Sequence, residues 1–418
     1  LEPIVDRTNA TWRFAVRTGA PRDREAVKAG TKTGRATFRC LLTGDTITND
    51  YINAEADKGN LAFRLIAIVA DGFRSRVYVS ADFSHEARAT VTKPAGVLTE
   101  PAAGTFAGNA IGLPYGFKQF RDYFTPRQLT AMVTLSDLVR EVREDVRRDA
   151  ERSGLSPADA EAYAATVVTF LALALDRCAD FNNSLCRWSP SNQKVMNLFG
   201  RQAIPMVWDF AEANLLGESV GAWATCSEYV AECIETMVAT QQGHARPLDA
   251  ASPWDGLKNV LVSTDPPYYD NIGYAALSDF FYVWLRRTLG DLYPDLFSTI
   301  LVPKEPELVA APERFGGDKH RAKEHFEAGF RRAFAALLEK MDPRFPLTVY
   351  YAFKQDDVES GADEEAASGA NGRTVDRTTG WETMLEALIG TGFQITATWP
   401  VRASQRWRMV SMGTNALA

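Results

Sequence analysis

The 418-residue sequence predicts an α/β fold, preceded by a helical region and a small β-rich module. Two observations carry that expectation. Over residues 256–400, short apolar runs alternate with helical patterns, as in a sheet covered by helices. Hydrophobic residues make up 46% of the chain, enough to bury large cores and fill two or three domains.

Residues 1–100 read as β-rich. Trp12-Arg13-Phe14-Ala15-Val16 and Leu65-Ile66-Ala67-Ile68-Val69 are strand-like, and Arg76-Val77-Tyr78-Val79 alternates. This would be an accessory module, one that could grip substrate. Residues 101–119 form a Pro/Gly-rich connector, and 120–245 a helical region. There Thr125 is a natural N-cap and Pro126 a natural first helical residue, opening a helix through about Arg148. Ala158 to Asp180 reads as a second helix.

The final region, 256–418, opens with Val260-Leu261-Val262, a short buried strand. An aromatic helix over Leu277–Arg287 follows, with Ser278 as its expected cap. Next come a helix from about Lys319 to Met341, a strand Leu347–Phe353, a helix Trp381–Ile389 and a strand Phe393–Thr398. Residues 355–379 are acidic and Gly/Ala/Ser-rich, a flexible insertion or a lid.

Composition excludes several classes. The five cysteines make no Cys-x-x-Cys pair, and four scattered histidines lack metal-ligand spacing, so no metal is expected. No Ser-His-Asp or P-loop pattern occurs. Neither a signal peptide nor an apolar run of membrane-spanning length is visible, which with reduced cysteines favours the cytoplasm. Cys226 and Cys233 share a helical face and read as packing residues. A net charge of −7 disfavours broad phosphate neutralisation, although its distribution matters more than the sum. The arginines from Arg140 to Arg152 alternate with Glu141, Glu144, Asp145 and Asp149, a solvated helix face. Arg402, Arg406 and Arg408 lie just beyond Trp399-Pro400 and form a candidate phosphate- or base-contacting segment.

The most informative stretch is Ser263-Thr264-Asp265-Pro266-Pro267-Tyr268-Tyr269-Asp270. Two successive prolines cannot continue a sheet ladder, so the strand stops there. Asp265, two proline carbonyls and the Tyr268 ring therefore project from a strand's C-terminal edge, where open α/β sheets bind ligands. Asp-Pro-Pro-Tyr can also be an ordinary turn. It resembles the catalytic motif of methyltransferases that modify an exocyclic nucleobase amine with S-adenosylmethionine. Such an amine is a poor nucleophile because its lone pair is conjugated into the ring. A carboxylate and a backbone carbonyl that accept its N–H groups favour the pyramidal form and stabilise the positive charge of transfer.

With its flanks, Tyr269-Asp270-Asn271-Ile272-Gly273-Tyr274 and the aromatic helix, the loop resembles the DUF1156-containing adenine-specific DNA methylases. Phe124-Thr125-Pro126-Arg127-Gln128, Trp208–Asn214 and Gly392–Pro400 extend the likeness over most of the chain. The resemblance implies a Rossmann-like methyltransferase sheet, incomplete here. It also implies S-adenosylmethionine as cofactor and DNA as substrate, with adenine N6 preferred to cytosine, in restriction-modification or anti-phage defence. Asp265, Pro266, Pro267 and Tyr268 would be catalytic: Asp265 and the Pro266 carbonyl would hold the amine, and Tyr268 would stack on a flipped base. Tyr269, Tyr274, Arg402 and Arg406 are candidate substrate-binding residues. Phe124, Thr125 and Pro126 could meet the cofactor's methionine end at a helix N-terminus, or could form an ordinary capped helix.

Two departures accompany the likeness. The family's glycine-rich loop, Asp-Pro-Phe-x-Gly-x-Gly, follows no strand here, and the chain begins at Leu1. The expectation is the later part of a longer polypeptide that alone binds the cofactor poorly. Cys40 lies where relatives carry a zinc-ribbon knuckle, and reads as a buried thiol in a degenerate, metal-free module. The alternatives are a non-catalytic DNA- or partner-binding portion of a defence complex, with other defence subunits as partners, or an RNA amino-methyltransferase.

Overall fold

The computed structural model describes residues 1–34, 37–102, 112–200, 203–237, 241, 243–254, 256–269, 272–351 and 380–399. The expected insertion at 355–379 and the segment with Arg402 and Arg406 lie outside the described residues. The chain forms two compact units. One holds most of residues 1–237 together with Asp279–Leu301, and the other holds 241–278 and the chain from Val302 onward.

The first unit begins with three antiparallel hairpins separated by short helices. Its elements are β1 (Glu2–Asp6), β2 (Thr11–Ala15), α1 (Arg24–Ala29), β3 (Phe38–Arg39), β4 (Thr46–Ile47), α2 (Asn49–Asp57), β5 (Ala67–Asp71), β6 (Arg76–Ser80) and α3 (Phe83–Ala89). The strands pair β1–β2, β3–β4 and β5–β6, so each sheet is a two-stranded ribbon. Cys40 lies in the turn of the β3–β4 hairpin and is half-buried, because the ribbon is too narrow to enclose it.

Two long helices follow, α4 (Pro126–Arg152) and α5 (Pro157–Phe181). Both start with Pro in the first turn and a hydroxyl cap, the first as expected of Thr125-Pro126 and the second one residue ahead of the expected Ala158: Gln128 N–H donates to Thr125 Oγ1 and Asp159 N–H to Ser156 Oγ. The α4 helix continues to Arg152, one turn beyond expectation, because its last arginines pair along the face, Arg147 with Glu144 and Glu151, Arg152 with Asp149. After a hairpin of β7 (Arg187–Ser189) and β8 (Lys194–Met196) comes α6 (Trp223–Thr236).

By length and composition α5 could cross a membrane, unlike any contiguous apolar run in the sequence, because its charged residues cluster at its two ends. It packs against α4 and α6 through small residues, among them Ala160, Ala164, Ala172 and Ala179. The Cys178 thiol of α5 is held far above its ordinary range by hydrogen bonding to Cys226 and by burial. Cys226 is buried, whereas Cys233 is exposed because α6 emerges from the core over its last turns.

The second unit carries β9 (Ser263–Thr264), the start of α7 (Tyr274–Leu289), α8 (Lys319–Lys340), β10 (Thr348–Val349) and α9 (Gly380–Gly390). The β9 and β10 strands pair in parallel, Ser263 opposite Thr348 and Thr264 opposite Val349. Val260 bridges Met341 in parallel as well. Between these contacts the chain loops out through Asp342-Pro343-Arg344-Phe345-Pro346, whose prolines cannot donate to a ladder; of the expected strand Leu347–Phe353, Thr348 and Val349 pair, and residues 352 and 353 lie outside the described residues. Phe393–Thr398 joins no ladder among the described residues. The α7 helix starts at Tyr274 rather than at Ser278, whose hydroxyl instead donates to Tyr274 O at 2.7 Å.

Phe326, Phe330, Phe334 and Leu337 repeat every three or four residues along α8 and make its buried stripe. With Val262 of the β9 segment and Met384, Ala387 and Leu388 of α9 they form the core of this unit. Phe326 and Phe330 stack with centroids 4.2 Å apart. The β9–β10 pair, with α8 in the crossover, is the part of the fold closest to the α/β expectation; the sheets among the described residues are all two-stranded.

Candidate amine-binding loop at a parallel strand edge

Hydrogen bonding along β9 and β10 fixes where the Asp265 loop leaves the sheet. Tyr350 N–H donates to Thr264 O at 2.8 Å, the last rung of the pair. Asp265 is the next residue, exposed, and Pro266 and Pro267 carry the chain off the strand end. Asp265 therefore stands at the carboxyl edge of parallel strands, with Tyr350 and Tyr351 following the neighbouring strand. Among the described residues the Asp265 carboxylate makes no hydrogen bond or ion pair, leaving its acceptor positions open to a donor such as an amine.

The following residues hold the loop to the core. Tyr268 is partly buried, its ring edge-on to Tyr351 at 6.1 Å. Tyr351 continues the aromatic group to Trp381 at 6.4 Å. Tyr269 turns inward, its ring edge-on to Phe326 at 5.0 Å, and its carbonyl accepts Ala310 N–H at 2.8 Å. A Cβ on Gly380 would lie 3.0 Å from Tyr269 Cβ, so glycine lets α9 start close against the loop. Tyr269, partly buried, thus packs its ring against the core of this unit.

Tyr274, exposed at the start of α7, lies within the field of Tyr268, Asp265 and Glu307. Partial burial, then those three groups, push its phenol above the ordinary range, so it stays a neutral donor at neutral pH. Glu307, which no sequence motif marks, braces this corner. Its carboxylate accepts Ala275 N–H at 2.9 Å, satisfying an open N–H of the first α7 turn, and pairs with Arg314. Both partners are nearly buried, at 12% and 11% side-chain exposure, so the pair is screened little by water. His325 Nε2 hydrogen-bonds Glu307 O at 3.1 Å, and Arg314 donates to Lys304 O at 2.9 Å. No local pattern signals this brace, since its partners come from a loop, a 3₁₀ turn and a helix.

Phe124, Thr125 and Pro126 belong to the first unit, with Phe124 and Thr125 fully buried. Thr125 and Gln128 cap one another reciprocally, and Thr125 Oγ1 donates to Glu212 Oε2 at 3.2 Å. Arg127 makes a forked pair with the same carboxylate, both contacts at 2.8 Å. The Glu212 carboxylate is thus held beside the start of α4 by the Thr125 hydroxyl and the Arg127 guanidinium. Phe124 stacks on Phe280 at 5.9 Å and serves the core. Trp208 and Phe210, from the Trp208–Asn214 segment that extends the likeness, pack against Tyr115 and Phe63 at 5.2 and 5.4 Å. Arg140 to Arg152 form the ion-paired surface the sequence suggested, Arg143 with Glu161 and Arg148 with Asp145 among the pairs.

No group of three or more His, Cys, Asp or Glu able to hold a metal is found among the described residues. The chain matches no protein-family model, no curated protein and no solved structure.

Proposed function

We propose that this chain carries the amine-holding half of an S-adenosylmethionine-dependent DNA methyltransferase acting on an exocyclic amine, with adenine N6 as the acceptor. The supporting observation is the place of Asp265-Pro266-Pro267-Tyr268 at the carboxyl edge of a parallel strand pair, with the Asp265 carboxylate unengaged among the described residues. In this reading Asp265 and the Pro266 carbonyl accept the two amine N–H groups and draw the nitrogen toward its nucleophilic geometry. The carboxylate also stabilises the cationic nitrogen formed on transfer. Pro266 brings no N–H of its own, so its carbonyl approaches the base unhindered. The part-exposed Tyr268 ring offers a face to a base taken out of its stack.

S-adenosylmethionine supplies the methyl group when bound; its cradle is not assigned to any described residue. The proposed Rossmann-like sheet is the larger assembly of which β9 and β10 would be two strands, working in the cytoplasm on DNA, with other defence subunits as further partners. Replacing Asp265 with Ala in the full-length polypeptide tests the assignment: methyl transfer to duplex DNA is lost while the circular dichroism and melting profile stay unchanged. Full activity in that variant overturns it. A non-catalytic binding role is favoured by one observation, the absence of a glycine-rich loop after any strand in the sequence. Calorimetry of S-adenosylmethionine binding, with this chain and with an N-terminally extended one, separates the two.

A further inference from the structure

We propose that Cys178 of α5 and Cys226 of α6 form a peroxide-sensitive dithiol, which closes into a disulfide and staples the two helices together. Both thiols are free and buried, at 0% and 1% exposure, and they hydrogen-bond to one another. The local backbone brings them together. Asn182, one turn beyond Cys178, donates through Nδ2 to Cys178 O at 2.9 Å and to Gly221 O at 2.7 Å. That ties the end of α5 to the residue ahead of Ala222, the cap of α6. A Cβ at Gly221, whose φ is +88°, would lie 2.8 Å from Phe181 Cβ, so glycine lets α6 start this close to α5.

The pair is reached through Cys226. That residue lines a cavity of about 140 Å³ with Arg177, Lys194, Thr225 and Tyr229, whereas Cys178 takes no part in the lining. At roughly 30 Å³ per water, such a space holds a few molecules the size of hydrogen peroxide. Arg177 is steadied there by the Tyr229 ring, whose centroid lies 4.3 Å from the guanidinium. Hydrogen bonding from Cys178, then the Arg177 charge, hold the Cys226 thiol below its ordinary range, against burial and the Asp180 carboxylate. The same contact, with burial, holds the Cys178 thiol up. Cys226 is therefore the nucleophile, and Cys178 is the thiol that keeps its proton until the second step.

The chemistry balances in two steps. The Cys226 thiolate attacks one oxygen of hydrogen peroxide, the O–O bond breaks, and hydroxide departs, leaving a sulfenic acid on Cys226. The Cys178 sulfur then attacks the Cys226 sulfur, the S–O bond breaks, and the departing hydroxide takes the Cys178 proton to leave as water. Counting the proton first lost by Cys226, the two thiols give up two electrons and the peroxide is reduced to two waters. A dithiol reductant reverses the bond. Cys186 and Cys233 serve as internal comparisons: the Cys186 thiol donates to Asp180 O at 3.4 Å and burial pushes it up to about 12, while Cys233 is exposed.

Peptide mapping of the folded full chain tests this. After brief exposure to hydrogen peroxide, free thiols are blocked and the chain is digested without reductant. The peptides carrying Cys178 and Cys226 are then recovered joined and lighter by two hydrogens, and dithiothreitol separates them. Cys178→Ser leaves the Cys226 sulfenic acid stranded, where dimedone traps it. Cys226→Ser protects Cys178 from oxidation; loss of Cys178 in that variant at the wild-type rate overturns the order of attack. The dithiol itself is overturned if both thiols stay free while the exposed Cys233 is oxidised, or if the bridge forms only after urea has unfolded the chain. Mapping of the wild type decides this even where a serine variant fails to fold.

Discussion

Asp265 and Tyr268 differ in what surrounds them, and substitutions there separate chemistry from folding. Asp265 is exposed and makes no hydrogen bond or ion pair among the described residues, so Asp265→Asn leaves the melting free energy within about 0.5 kcal/mol while removing the charge that the proposed methyl transfer needs. Tyr268 packs on Tyr351 and, in the proposed function, also offers a face to a base. Tyr268→Leu keeps apolar bulk but no aromatic face, and we expect KM for DNA to rise by about ten-fold, as befits a lost stacking contact. Asp176 in α5 provides a different test. It is buried, its Oδ1 lacks a hydrogen-bond partner, and burial raises its carboxyl well above the ordinary value of 3.8. The folded chain then holds a proton that the unfolded chain releases, so this group's contribution to stability falls as pH rises from about that value upward. Asp176→Asn removes the penalty. Melting temperatures followed from pH 4 to pH 8 should decline less in the variant than in the wild type; parallel curves would refute the assignment.

Among the elements, helix starts were the most legible in the sequence. Thr125-Pro126 and Ser156-Pro157 cap α4 and α5 as their residue types dictate, because a cap needs only its nearest neighbours. The α7 helix escaped this logic. Its first turn is completed by Glu307, more than thirty residues downstream, so Ser278 looked like a cap although it lies a turn inside. Breaking that brace leaves the Arg314 guanidinium buried without its partner. Glu307→Ala therefore destabilises the second unit by about 3–5 kcal/mol, readable as a shifted urea midpoint. A change below about 1 kcal/mol would show that the pair is solvated. Of the strand expected over Leu347–Phe353, Thr348 and Val349 pair with β9, and a loop holding Pro343 and Pro346 separates them from the Val260–Met341 bridge.

For the molecule as a whole, alternation of apolar runs and helices pointed to a parallel unit, and one such unit, β9–α8–β10, is present with the Asp265 loop at its carboxyl edge. What composition could not reveal is which polar residues serve function and which serve packing. Thr125, a candidate for the cofactor's methionine end, meets Glu212 and, through that carboxylate, Arg127, a contact between distant segments that no local pattern signals. The central claim is that Asp265 activates a base amine for methylation. It is tested most directly by incubating the full-length polypeptide with S-adenosylmethionine and duplex DNA, then digesting the DNA and measuring N6-methyladenine by mass spectrometry. The account predicts modified adenine with the wild type and none with Asp265→Asn. Equal yields from the two proteins, or none from the wild type when it binds both cofactor and duplex, would contradict it.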